Sequence, residues 1–154
     1  MRVSIAAAIA LLAASALSAQ SAPAIPDLTT ATPIGGNWAW AQTADGSEAV
    51  FTDAYAKPQL VVHCTRISRR VSIAKFATAA VPFMGVWTSS QTRSLPSSFD
   101  PATGKLSVAL PAFDNLLDAF VTSRGRVGLS VAASPPLVVP AWSEVAHVVE
   151  DCRA

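Results

Sequence analysis

The sequence predicts a β-rich α+β domain: about seven to nine short antiparallel strands, curled into a sandwich or open barrel, with two helices in the C-terminal half. Three observations carry that expectation. Short runs of alternating apolar and polar residues, separated by turn formers, recur from Asn37 to Leu110. Helical spacing enters only afterwards, in two strand-then-helix units that end at Arg124 and Arg153. The 154 residues are 51% hydrophobic and 14% charged, apolar material enough for one core in one domain.

The chain opens with a charge at Arg2, an apolar run over residues 3–17, and small residues suited to a peptidase over 18–24. This is the pattern of a secretory signal peptide, assigned to residues 1–22, and its apolar run is shorter than the roughly 20 residues that a membrane-crossing helix needs. The expected location is periplasmic or secreted, with no membrane span after signal cleavage. Residues 23–35, dense in Pro, Thr, Ala and Gly, read as a flexible leader, and 36–154 as the single domain.

Within that domain a first strand, 37–43, places Trp38, Trp40 and Gln42 on one face, and the Asp45-Gly46 turn returns a second at 48–53. Leu60, Val62 and Cys64 share a face of the strand 59–66, and 70–76 pairs back with Val71 and Ile73 on the face opposite Ser72 and Ala74. Strands follow at 83–88 and 92–96 and, beyond the turn formers of 100–104, at 105–110.

Phe113, Leu116, Leu117, Phe120 and Val121 then fall at helical spacing, with Asp114 in the first turn, Arg124 at the end and Gly125 as the stop. Strands at 126–132 and 137–139 lead to the second helix, whose buried face is read as Trp142, Val145, Val149 and Cys152. The two units repeat at a separation of twenty-nine: Pro111 matches Pro140, Phe113 matches Trp142, Leu116 matches Val145, and Arg124 matches Arg153.

Export decides how the cysteines are read. Two cysteines in an oxidising compartment predict a Cys64–Cys152 disulfide. The alternative, a nucleophilic Cys64 activated by His63, is disfavoured because neighbours along a strand point to opposite faces. Without Arg2 the chain carries ten basic and ten acidic residues, a balance that disfavours nucleic acid as a partner.

The nucleophile elbow, the P-loop, the dinucleotide fingerprint and the His-Glu-x-x-His motif are all absent. Two histidines and two cysteines are too few for a structural zinc site, so no catalytic residue, metal or cofactor is assigned. The spaced pairs Asp114/Asp118 and Glu144/His147 read as solvated helix faces. Two groups stand as candidate site residues. Arg66, Arg69 and Arg70 gather round one turn, while Arg124 and Arg126 form a second corner; if they converge, they hold an anion or acidic partner by bidentate contacts. Trp38 and Trp40 are a candidate aromatic contact surface, with placement in the core as the plainer reading.

The signal peptide, the Ser123-Arg124-Gly125-Arg126 corner and the ending Glu150-Asp151-Cys152-Arg153 resemble an uncharacterised family of small exported proteobacterial proteins. In size and strand-rich layout the chain is also similar to the invasion-associated locus B proteins, whose additional cysteines it lacks; no residue roles carry over from either. Three functional classes remain. The first is a non-catalytic binding or accessory protein of the cell envelope, its partner an envelope protein or an anionic ligand. The second is a small inhibitor of a secreted hydrolase, lysozyme-inhibitor-like, presenting a protruding loop at 89–98. The third is an enzyme whose pocket gathers His63, His147 and a carboxylate. Export, a disulfide and neutral charge without a catalytic constellation favour the first.

Overall fold

A computed structural model describes residues 24–154. Among them, ten strands form two antiparallel sheets around one shared core, two helices lie in the C-terminal half, and neither sheet closes into a barrel. The larger sheet has six strands in the order β1 (Gly36–Thr43), β2 (Gly46–Asp53), β3 (Pro58–Thr65), β4 (Arg70–Phe76), β8 (Lys105–Pro111) and β7 (Ser98–Asp100). The smaller runs β10 (Leu137–Val139), β9 (Val127–Ser130), β5 (Phe83–Trp87) and β6 (Thr92–Pro96). The strand that sequence pattern misses is β7, whose three residues are too few to show a period.

Alternation sets the inner face of the larger sheet. Leu60, Val62 and Cys64 of β3 point inward and are completely buried, as are Val71 and Ile73 of β4. The helix α2 (Ser143–Arg153) covers part of this face, packing on β1 to β4. The smaller sheet contributes Met84, Val86, Leu95, Val127, Leu129 and Val139 to the same core. Each fully buried Leu, Ile or Phe contributes about 1.5 to 3 kcal/mol. At the β1–β2 turn the residue must be small: a Cβ on Gly46 would stand 2.1 Å from the Cys64 carbonyl oxygen.

Cys64 and Cys152 form the expected disulfide, with Cα atoms 5.5 Å apart and a sequence separation of 88. It fastens the last turn of α2 to β3. The helix starts differ from the sequence reading. Phe113 and Trp142, expected on the buried stripes, are 67% and 58% exposed. Each precedes its helix: α1 (Asn115–Val121) is capped by Asp114 and α2 by Trp142, both in extended conformation. Neither residue belongs to the helical turns, so neither projects along the helical stripe. The buried faces are Leu116, Leu117, Ala119 and Phe120 in α1, and Val145, Val148, Val149 and Cys152 in α2.

Arg153 joins the two units. Its Nε donates to the Ala112 carbonyl at 2.8 Å, its Nη2 meets Asp118 Oδ1 at 2.8 Å, and its guanidinium lies 5.4 Å from the Phe113 ring centroid. Asp114 is the local anchor of α1, accepting from the Leu116 N–H at 2.9 Å and pairing with Arg93 Nη1 at 2.5 Å. Burial alone would raise its pKa, but the Leu116 and Arg93 contacts outweigh burial and hold the carboxyl below the ordinary aspartate range. A depressed folded-state pKa gives stability that is present above the unfolded pKa and lost as pH falls through the folded one. Asp114→Ala is therefore expected to cost about 1 to 2 kcal/mol at neutral pH. Urea unfolding across pH should show that deficit shrinking below about pH 4.

Residues 24–35, the described part of the segment read from sequence as a flexible leader at 23–35, lie along the smaller sheet. Leu28 is 3% exposed and packs with Ile25, Ala31, Trp87 and Val138 on the outer face of the smaller sheet. Two strand glycines make the room: a Cβ on Gly128 would lie 2.2 Å from Leu28 Cδ1, and one on Gly85 2.7 Å from Ile25 Cγ1. The Ile34 N–H donates to the Val138 carbonyl at 2.9 Å, and the Arg126 guanidinium donates to the Ala31 carbonyl. The signal peptide expected at 1–22 lies outside the described residues.

Candidate functional site

Register across the larger sheet defines one inward row of six residues, one from each strand. Trp38 stands opposite Phe51, Phe51 opposite Leu60, Leu60 opposite Lys75, Lys75 opposite Leu106, and Leu106 opposite Phe99. Five are apolar and the sixth is a lysine. Lys75 continues the face of Val71 and Ile73, and only 8% of it is exposed. The next row inward, Trp40, Ala49, Val62, Ile73 and Val108, has no charge.

The Lys75 side chain lines a cavity of about 370 Å³ at one end of the space between the sheets. Its walls come from the end of β4, from Ala77, Thr78 and Ala79 beyond it, from Leu106, and from residues 131–134 after β9. They are mainly apolar, with Phe76, Val81, Val131 and four alanines; hydroxyls enter at Thr78 and Ser134. A volume of a few hundred Å³ with a few convergent polar groups is the usual character of a small-molecule site. Ala133, on the wall, takes a φ of 57°. That left-handed conformation costs a residue with a Cβ about 1 to 2 kcal/mol.

The electrostatics single Lys75 out. All ten Asp and Glu residues of the sequence lie among the described residues, and their ion pairs go to His63, Arg93 and Arg153. Among the described residues the Lys75 ammonium has neither an ion-pair partner nor a side-chain hydrogen bond. Burial without compensation pushes its pKa below the ordinary lysine range. The sequence held a signal for this residue, a lysine two positions beyond Ile73 on the apolar face, which the strand reading did not follow past Ile73.

The residues singled out from sequence are placed as follows. Arg66, Arg69 and Arg70 surround the β3–β4 connection of the larger sheet. There Arg69 Nη2 donates to the Ala154 carbonyl oxygen at 3.3 Å and Arg70 Nη2 to the Ala109 carbonyl at 2.9 Å. Arg124 and Arg126 lie before β9 of the smaller sheet, where the Arg124 N–H donates to Ser89 Oγ at 2.9 Å and the Arg126 side chain holds the leader. No contact joins the two corners among the described residues. Trp38 is buried, donating from Nε1 to the Pro140 carbonyl at 2.8 Å and meeting Phe51 edge-on at 5.5 Å between centroids. Trp40 lies at the rim, 6.1 Å from the His147 ring of α2.

Two other expectations change. His63 points to the outer face of the larger sheet, with Nε2 3.0 Å from Asp45 Oδ2 and Nδ1 3.9 Å from Glu48 Oε2. Hydrogen bonds from His63 and then Thr43 hold the Asp45 carboxyl below the ordinary range. His147 packs on the inner side against Trp40, so a pocket using both histidines does not form. The protruding loop expected at 89–98 is also absent as such: Thr92–Pro96 is β6, and Ser98 opens β7. What remains is a tight turn in which Gln91 and Thr88 exchange hydrogen bonds and the Ser89 N–H donates to Ser123 Oγ at 2.9 Å. Strand pairing consumes the residues that a protruding loop would need.

Among the described residues no group of three or more His, Cys, Asp or Glu side chains is placed to hold a metal ion, and no helix is long and apolar enough to cross a membrane. Comparison with protein-family models, curated proteins and solved structures finds no match to this chain.

Proposed function

We propose that this chain is an exported, non-catalytic binding protein of the cell envelope, periplasmic or secreted, whose ligand seats in the Lys75 cavity. One observation carries the reading: a lone lysine on an otherwise apolar row, its stem buried and its ammonium without a protein partner among the described residues, at the wall of a cavity of ligand size. Apolar walls partly desolvate that charge, which lowers its pKa and costs free energy that packing alone does not return. A ligand of opposite charge offsets that cost on binding. The signal-like N-terminus supports export, as does the resemblance of the C-terminal segment to small exported proteins. A disulfide is at home in an oxidising compartment.

The test is a thermal-shift screen of parent and Lys75→Met proteins against a panel of small organic anions, cations and neutral compounds. At least one class is expected to raise the parent's midpoint and to leave that of Lys75→Met unchanged. A panel that moves neither protein, or moves both equally, contradicts the reading.

A further inference from the structure

We infer that the ligand of this cavity is a small amphipathic monocarboxylate, its head paired with the Lys75 ammonium and its apolar body lying against Val81, Leu106 and Val131. This rests on the binding reading above and narrows it to one chemical class.

The sign of the head group follows from charge complementarity. Lys75 is the only charged residue lining the cavity, and no carboxylate faces it among the described residues. A cationic ligand would bring a second positive charge beside the first, with no carboxylate to neutralise either. The number of charges follows too. One ammonium neutralises one negative charge, whereas a phosphate monoester or a dicarboxylate would bring a second that no arginine or second lysine of the cavity meets. An ammonium presents three donors, and a carboxylate accepts at two oxygens, so the pair makes short charge-assisted hydrogen bonds. The hydroxyls of Thr78 and Ser134 supply further donors along the same walls.

The body follows from the walls and the volume. Apart from Lys75, Thr78 and Ser134, every lining residue is apolar, so a polyhydroxylated body such as a sugar acid would leave its hydroxyls unpaired. Alanines at 77, 79, 132 and 133 keep the walls thin where larger side chains would fill the space. An acid of about ten non-hydrogen atoms, the size of octanoate, fits that space within the usual range of ligand pockets.

The experiment titrates octanoate into isotopically labelled protein and follows backbone amides by two-dimensional NMR. Comparison ligands are acetate (head without body), octanol (body without charge), octylamine (charge reversed) and suberate (two charges). Octanoate is expected to shift the amides of Phe76, Leu106 and Val131, with each comparison ligand at least tenfold weaker. Lys75→Met should weaken octanoate at least tenfold, while Lys57→Met, at a turn remote from the cavity, should bind as the parent does. Ala132→Trp fills the cavity from an exposed position without touching Lys75 and should also abolish binding. Octanoate binding that survives Lys75→Met, or octylamine binding as tightly, overturns the inference. If a neutral or cationic compound from the wider panel binds at these amides and no carboxylate does, the ligand class is wrong and the binding reading stands. If nothing binds there, both fall.

Discussion

Replacing both Cys64 and Cys152 with alanine is expected to cost up to about 4 to 5 kcal/mol of stability, the loop-closure entropy of a bridge across 88 residues. A domain of this size has only about 5 to 15 kcal/mol in total, so the variant should be marginal at 37 °C. The physical reason is the position of α2. It is the element that covers the β1 to β3 part of the inner face, and both of its flanks depend on few fastenings. Trp38 holds the Pro140 carbonyl ahead of it, and Arg153 holds Ala112 and Asp118 at its end. Without the bridge, fraying of the last turn exposes Val149 and the wall of β3. Urea unfolding of the double variant measures the loss through its midpoint. A change of less than about 1 kcal/mol would mean that packing alone seats the helix.

Lys75→Met is expected to act in the opposite direction, stabilising the fold by up to about 1 kcal/mol while abolishing ligand binding. Methionine keeps an unbranched side chain between Leu60 and Leu106 and removes the unpaired charge. The pH dependence fixes the sign. Burial lowers the folded-state pKa of Lys75, so between that value and the unfolded one the unfolded chain binds more protons, and stability rises with pH. Below the folded pKa the charged lysine carries its full penalty. The advantage of methionine should thus be complete at neutral pH and shrink as the solution is made alkaline. A Lys75→Met protein less stable than the parent at pH 7 would show that the ammonium is already satisfied within the fold.

Most of the β architecture is legible because its strands alternate cleanly. Leu60, Val62 and Cys64 announce an inward face, and the cysteines announce their bridge. What stays hidden depends on neighbours distant in sequence. Three-residue β7 exists because β8 pairs with it. The leader lies down because Gly85 and Gly128, far along the chain, clear a path for Ile25 and Leu28; a glycine at the centre of a strand is the signal that another part of the chain approaches closely. Phe113 and Trp142 match in the repeat yet leave the helical stripe, since spacing does not reveal that both lie ahead of the first helical turn.

The candidate site shows the same division. The alternation of Val71, Ile73 and Lys75 places a lysine on an apolar face from sequence alone. That no carboxylate awaits it, and that residues 77–79 and 131–134 wall a cavity beside it, emerges only when β4 and β9 are brought together. The arginine corners show the converse: Arg70 and Arg126 are conspicuous in sequence, but their guanidinium groups serve backbone carbonyls.

The protonation of Lys75 can be read directly in protein labelled with ¹³C at the lysine Cε positions, a spectrum of only three lysines. The Lys75 signal is identified by its absence from the Lys75→Met variant. The expected result is a resonance that titrates below the ordinary lysine range in the free protein and moves back up when octanoate is added. A Lys75 resonance that titrates at or above the ordinary lysine value in the free protein, and does not respond to any organic anion, would contradict a partly desolvated, unpaired ammonium waiting for its counter-charge.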